Sequence, residues 1–346
     1  MEKHTHTFHY TKPFELESGE YLPGFQLRYT LFGKLNANRS NVVWVCHALT
    51  GNSDFTSWWK ELFEPGAAFD PQHYLIVCAN TLGGCYGSTG PLSVNPETGK
   101  PFYHSFPAIT NRDIVRAFDL LRQSLEFEKI HTLIGGSLGG QHVLEWAIQQ
   151  NELFEHIVPI ACNAHHSPWG IAFNEAQRLA IQADPTWKES HERAGLAGLK
   201  SARAIAMLSY RNYESYGEAQ AEKSTEKVDD FRAATYQQYQ GEKLALRFNA
   251  FTYWILSKAM DSHNVARGRK NVLLALQSIR AKALVVGVDD DVLFPIREQK
   301  FLADHILKSS LITLQSKHGH DGFLIEFDQL NTGLKKFLNT KQEVYC

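Results

Sequence analysis

The stretch from Lys129 to Gly140 passes from an apolar strand pattern into Gly135-Gly136-Ser137-Leu138-Gly139, and an apolar stripe at helical spacing begins at once. A chain that turns from strand to helix in so few residues has little room for side chains at the bend. Glycines at 135 and 139 let it turn without Cβ collisions. The residue held between them is pushed outward, so the Ser137 hydroxyl is presented at the tip. The helix start behind it directs unpaired N–H groups and partial positive charge at any oxyanion formed there. This is the arrangement that makes a serine a nucleophile. The competing reading, a phosphate-binding turn, is disfavoured because the glycine spacing fits neither a Walker loop nor a dinucleotide fingerprint.

A bend of this kind belongs in an alternating strand and helix chain, and the sequence supplies one. Near-continuous apolar runs at 42–46, 74–79, 133–134, 157–160, 283–288 and 311–314 read as strands of a parallel sheet covered on both faces. Ile114, Phe118, Leu121 and Leu125 repeat at helical spacing after Asn111-Arg112-Asp113. Between about 165 and 280 strong strand patterns disappear, and Ala, Gln, Glu, Lys and Arg dominate. That stretch is expected to be a helical insertion. The fold class expected is α/β: an α/β-hydrolase fold, with a mostly parallel sheet flanked by helices. The core spans 1–164 and 281–346, and a helical lid spans 165–280.

In that fold the acid and base follow the serine, each in a loop beyond the carboxyl end of a strand. After the strand ending at Val288 come Asp289, Asp290 and Asp291; after the next come His318 and His320. Position alone leaves three aspartates and two histidines open. Cys85, in a Gly-rich loop, is a rival nucleophile without a visible adjacent base.

Composition removes other classes. With 346 residues, 43% hydrophobic and 21% charged, the chain can bury a large core. A net charge of -2 argues against nucleic acid or an anionic membrane as a partner and leaves small molecules. No apolar run approaches the ~20 residues of a membrane span, and the start has no signal-peptide core, so a cytoplasmic location is expected. Five cysteines, Cys46, Cys78, Cys85, Cys162 and Cys346, show no metal-type spacing, and no disulfide is expected. His165-His166 and His318-x-His320 lack a third ligand at a regular offset, so no metal is expected.

Six segments, in order, carry a family resemblance: His47-Ala48-Leu49-Thr50-Gly51-Asn52-Ser53, the Gly-rich run from Asn80 to Pro91, Gly136-Ser137-x-Gly139-Gly140, Ala172-Phe173-Asn174-Glu175, Asp291-x-Leu293-Phe294-Pro295 and Gly319-His320-Asp321-Gly322-Phe323. Together they resemble the homoserine O-acetyltransferases. The resemblance implies Ser137 as acyl-accepting nucleophile, Asp291 as orienting carboxylate and His320 as general base. It implies backbone N–H groups of Leu49 and Leu138 as the oxyanion hole. It places Arg203 on the substrate carboxylate and Asp321 on its ammonium, with Arg211 the nearest rival to Arg203. No cofactor is implied; acetyl-CoA is a co-substrate and L-homoserine the acceptor, in a ping-pong reaction of methionine biosynthesis. Family members are homodimers joined through lid helices.

Some positions depart from the family pattern. Leu138 stands where methionine is usual, Gln141-His142-Val143 replaces a more apolar stretch, and Asn111 replaces a common isoleucine. The alternatives are succinyl transfer to homoserine, acyl transfer to serine, and a plain esterase, which the triad alone equally supports.

Overall fold

The computed structural model describes residues 2–339. Eight strands form one sheet: β1 Lys3–Tyr10, β2 Phe25–Gly33, β3 Val42–Cys46, β4 Leu75–Ala79, β5 Ile130–Gly136, β6 Phe154–Ile160, β7 Lys282–Val288 and β8 Ser309–Leu314. Their order across the sheet is β1-β2-β4-β3-β5-β6-β7-β8. From β4 to β8 every neighbouring pair is parallel, while β1 and β2 pair antiparallel with each other and β2 with β4. The fold is therefore the expected α/β-hydrolase arrangement. The antiparallel pair at its edge had no counterpart in the alternating pattern, which began near residue 41.

The central strands are buried on both faces, as their unbroken apolar runs require. Trp44, Leu133, Ile157 and Val285 enter one buried cluster; Val43, Val45, Ile134, Val158 and Val286 enter the other. Each such side chain contributes roughly 1.5–3 kcal/mol of burial. Two helices cover the central strands: α1 Asn111–Ser124 and α2 Leu138–Gln149. Helix α1 starts where the sequence signals it, through a capping box between Thr110 and Asp113.

Between β6 and β7 the chain is helical: α3 Pro168–Gln182, α4 Leu196–Tyr210, α5 Tyr213–Gln220, α6 Arg232–Ala245, α7 Ala250–Asp261 and α8 Val272–Gln277. Helices α3, α4, α6 and α7 pack on one another, whereas α8 returns to the sheet and lies against α2 and α9 Ile296–His305. A final helix, α10 Phe327–Asn339, closes the other face. No helix among the described residues is long and apolar enough to cross a membrane. Cys46, Cys78, Cys85 and Cys162 are free thiols, and Cys346 lies outside the described residues.

Chain order fixes where a site must be. From β3 the chain crosses to β4 on one side, and from β5 it proceeds to β6, β7 and β8 on the other. The strands β3 and β5 are neighbours across that reversal, and ligands of open parallel sheets bind beyond the carboxyl ends of such a pair. The two segments at that point are the His47–Thr50 loop and the bend at Ser137.

Candidate active site

Ser137 occupies the bend between β5 and α2 with φ 57° and ψ −123°, a backbone conformation few residues with a side chain adopt. The surroundings make it possible. A Cβ on Gly135 would stand 2.5 Å from the Gly139 carbonyl oxygen and 2.8 Å from that of Cys46; one on Gly139 would stand 2.1 Å from the Cys46 oxygen. Only glycine at both positions lets the helix start close against the end of β3. The Ser137 side chain does not cap α2, and its hydroxyl has no hydrogen-bond partner among the described residues.

That close approach brings the Leu49 loop beside the helix start. His47 braces the loop. Its Nε2 accepts from the Thr81 backbone N–H at 3.1 Å, so its Nδ1 carries the proton and donates to the Ala48 carbonyl at 2.8 Å. Burial pulls this imidazole down to about 4, against a smaller opposing effect of the Ala48 bond, and keeps it neutral. Neither the Leu49 N–H nor the Leu138 N–H has a hydrogen-bond partner among the described residues. Both are therefore free to receive an oxyanion.

The loops after β7 and β8 meet on the same side. His320 Nδ1 lies 2.6 Å from Asp291 Oδ2, and both residues are 4% exposed. The other carboxylate oxygen, Oδ1, accepts from the N–H groups of Leu293 and Phe294, each at 2.8 Å. Asp289 and Asp290 are engaged elsewhere, by the Ser316 N–H and the Asn212 side chain. His318 makes no contact with Asp291, so of the five candidates only Asp291 and His320 are brought together. Burial opposes charge on the His320 imidazole, but the Asp291 charge, its hydrogen bond and the Asp321 charge outweigh that, and the ring titrates above its ordinary range.

Phe294 stacks on the His320 ring at 5.2 Å and Phe323 meets it edge-on at 5.4 Å. Phe323 also covers Gly136, where an added Cβ would be 2.4 Å from its ring. One phenyl ring thus touches both the residue before Ser137 and the imidazole of His320. The serine and histidine are on one side of the sheet, although no hydrogen bond joins them in this structure; such bonds are commonly long before substrate binds.

From the helical insertion, α4 delivers Arg203 to this region. Its guanidinium lies 5.2 Å over the Tyr210 ring and makes no ion pair among the described residues. Tyr210 in turn lies 5.6 Å from the His320 ring. Arg211, the rival, is committed: its Nη2 is 3.3 Å from Asp321 Oδ2. Arg203 and Asp321 are not in contact with each other. Sequence reasoning passed over Tyr210, although it lies seven residues beyond Arg203, two helical turns along the same face. Cys85 is half-buried, and burial pushes its thiol up to about 11, which leaves almost no thiolate at neutral pH.

The chain matches the alpha/beta hydrolase fold family over residues 41–326. It is 52% identical to the homoserine O-acetyltransferase of Cyclobacterium marinum, over 95% of this chain and 94% of that protein. It is 46% identical to the homoserine O-acetyltransferase of Trichormus variabilis, over 96% and 93%. Among solved structures, the homoserine O-acetyltransferase of Bacillus anthracis superposes with a TM-score of 0.91 over 98% of both chains; at 23% identity that likeness concerns the fold. With identities this high over nearly its whole length, the chain belongs to the homoserine O-acetyltransferase family of α/β-hydrolase-fold proteins.

Proposed function

We propose that this chain transfers an acetyl group from acetyl-CoA to the side-chain hydroxyl of L-homoserine by a ping-pong reaction through Ser137. The observation that carries the reading is the buried His320–Asp291 pair, set beside a serine on a strained bend with two unpaired N–H groups next to it. The nucleophile is Ser137, the base His320 and the orienting carboxylate Asp291. His320 Nε2 takes the Ser137 proton as Oγ attacks the thioester carbonyl, and the Leu49 and Leu138 N–H groups hold the oxyanion. Collapse of the tetrahedral adduct breaks the C–S bond, and the imidazolium returns the proton to CoA, which leaves as the thiol. Homoserine then enters, His320 deprotonates its hydroxyl, and that oxygen takes the acetyl group, with the proton returned to Ser137.

The acceptor is held at both ends of its amino-acid portion. Arg203, with no competing ion pair, is the partner for the carboxylate, and Asp321 for the ammonium. Asp321 already pairs with Arg211 at 3.3 Å, which holds the carboxylate in place. Helices α3 to α7 of the insertion 165–280 serve as the lid over a core of 1–164 and 281–346, which α8 rejoins, and the lid keeps water from the acyl-serine. Its exposed apolar side chains, Leu208, Tyr213, Val228, Tyr239 and Leu246, support a homodimer joined through lid helices. The free thiols support a cytoplasmic location.

The test follows free thiol when the purified protein meets acetyl-CoA. Release that is limited to the enzyme concentration without homoserine and continuous with it supports transfer. Release at the same rate with or without homoserine means an esterase-like hydrolase instead. Ser137→Ala abolishes the initial burst.

A further inference from the structure

Far from Ser137, at the amino ends of β5 and β6, the sheet brings His131 beside the consecutive pair Glu155-His156, three side chains of the metal-ligating type. His131 is the second residue of β5, while Glu155 and His156 are the second and third of the adjacent parallel strand β6. One ligand atom from each lies within 4.8 Å of the other two. The imidazole centroids of His131 and His156 are 5.0 Å apart, between Tyr74 and Phe337.

The tautomers are set by the surroundings. His156 Nδ1 lies 3.2 Å from the His131 carbonyl oxygen, which only accepts, so His156 carries its proton on Nδ1 and its Nε2 lone pair is free. His131 Nδ1 is held at 2.8 Å by Thr132 Oγ1, which again leaves Nε2 as the ligand atom. A backbone carbonyl fixing the far nitrogen is the usual support of a metal-binding histidine. Glu155, exposed and free to swing, adds the negative charge that offsets Lys282, which pairs with His156 across the strands.

We infer that His131, Glu155 and His156 form a binding site for a divalent transition metal of the zinc class, remote from the acyl-transfer centre. Two imidazoles and one carboxylate suit Zn²⁺, whose ligand atoms sit roughly 3.3 Å apart in a tetrahedron; small rotations of Glu155 and the imidazoles close the remaining gap. One position stays open for water. The ion ties the entry of β5 to the entry of β6, about 20 Å along the strand from Ser137. Its effect is therefore on stability, with the chemistry untouched.

The experiment is calorimetric titration of the metal-stripped full chain with ZnCl2, paired with thermal melting with and without zinc. One equivalent is expected to bind and to raise the melting temperature. Glu155→Gln, an exposed change that spares the fold, is expected to weaken binding by roughly tenfold or more. His131→Gln is expected to abolish both the heat and the rise. Because β1 carries His4, His6 and His9, the double variant His4→Ala/His6→Ala is the control, and it is expected to bind zinc as the unmodified chain does. Absence of binding, equal binding by the Glu155 and His131 variants, or loss of binding in the β1 variant overturns the inference.

Discussion

Asp291→Asn is the substitution that most directly probes the proposed chemistry, because the structure dictates how the new amide sits. Oδ1 accepts two backbone N–H groups at 2.8 Å, from Leu293 and Phe294, inside a buried loop. An asparagine keeps its carbonyl oxygen there. Turning it over would set an NH2 against two N–H donors and leave each without an acceptor, at about 1–3 kcal/mol apiece. The amide nitrogen is therefore forced to the Oδ2 position, 2.6 Å from His320 Nδ1, where it donates. His320 must then present a lone pair at Nδ1 and carry its proton on Nε2. In that tautomer it has nothing with which to accept the serine proton.

The expected loss in kcat/KM is about 10³ to 10⁴-fold, or about 4–5.5 kcal/mol of transition-state stabilisation, with the fold intact. Since one imidazole serves both half-reactions, the acetyl-CoA thiol burst and the homoserine-dependent turnover fall together. The pH profile gives a second readout. The neutral imidazole is the active base, so activity declines as pH falls through the His320 pKa. In the unmodified enzyme that decline centres above the ordinary 6.5, because Asp291 and Asp321 hold the proton on. Without the Asp291 charge it moves downward. Asp289→Asn and Asp290→Asn, whose carboxylates bind Ser316 and Asn212, stay near the unmodified rate. Activity of Asp291→Asn within tenfold of normal, or a larger loss in either neighbour, refutes the assignment.

Other outcomes are equally specific. Arg203→Ala is expected to raise the KM for homoserine by roughly 10–150-fold, the worth of a charged hydrogen-bond pair, and to leave the thiol burst with acetyl-CoA alone unchanged; a lost burst would mean a structural role. Gly135→Ala places a methyl 2.5 Å from the Gly139 oxygen, so denaturant unfolding is expected to show a loss of about 3 kcal/mol or more, or no soluble protein. His47 is neutral when folded and titrates near 4, against 6.5 when unfolded, so its contribution is complete above 6.5 and declines as pH falls towards 4, by about 3 kcal/mol in all. Urea unfolding at pH 7 and pH 4.5 checks the sign, since a protein equally stable at both would contradict it.

How much of this was legible in the sequence depended on whether the relevant contacts are periodic or topological. The β5 bend was readable because strand, glycines and helix are contiguous, and steric exclusion leaves glycine at 135 and 139. The loops of Asp291 and His320 were readable in position, because strand order sets which loops converge. Which aspartate turns inward was not, since that depends on the Leu293 and Phe294 N–H groups closing a turn on one carboxylate. Of the edge pair, β1 is exposed along most of its length and carries histidines and threonines, so no apolar alternation marks it, whereas β2 does alternate, with Phe25, Leu27 and Tyr29 buried, and was readable but passed over.

The histidines illustrate the same limit in a sharper form. Judged by offset along the chain, His131 and His156 are 25 residues apart and suggest nothing. Parallel pairing erases that separation, because a crossover returns the chain to the same end of the sheet and lines up the beginnings of β5 and β6. The same operation at the opposite end lines up the exits of β3, β5, β7 and β8, which bring the Leu49 loop, Ser137, Asp291 and His320 to one rim. A doubly wound sheet thus has two rims at which distant residues meet. The rim at the strand exits faces free N–H groups and helix starts, which suit oxyanions and anionic substrates. The entry rim meets the ends of α1 and α2 rather than helix starts, and Lys282 stands beside His156, so a cluster there must supply its own charge balance. Glu155 beside two imidazoles whose Nδ1 atoms are already engaged does so, which is why a cation is the ligand that matches that end of the sheet.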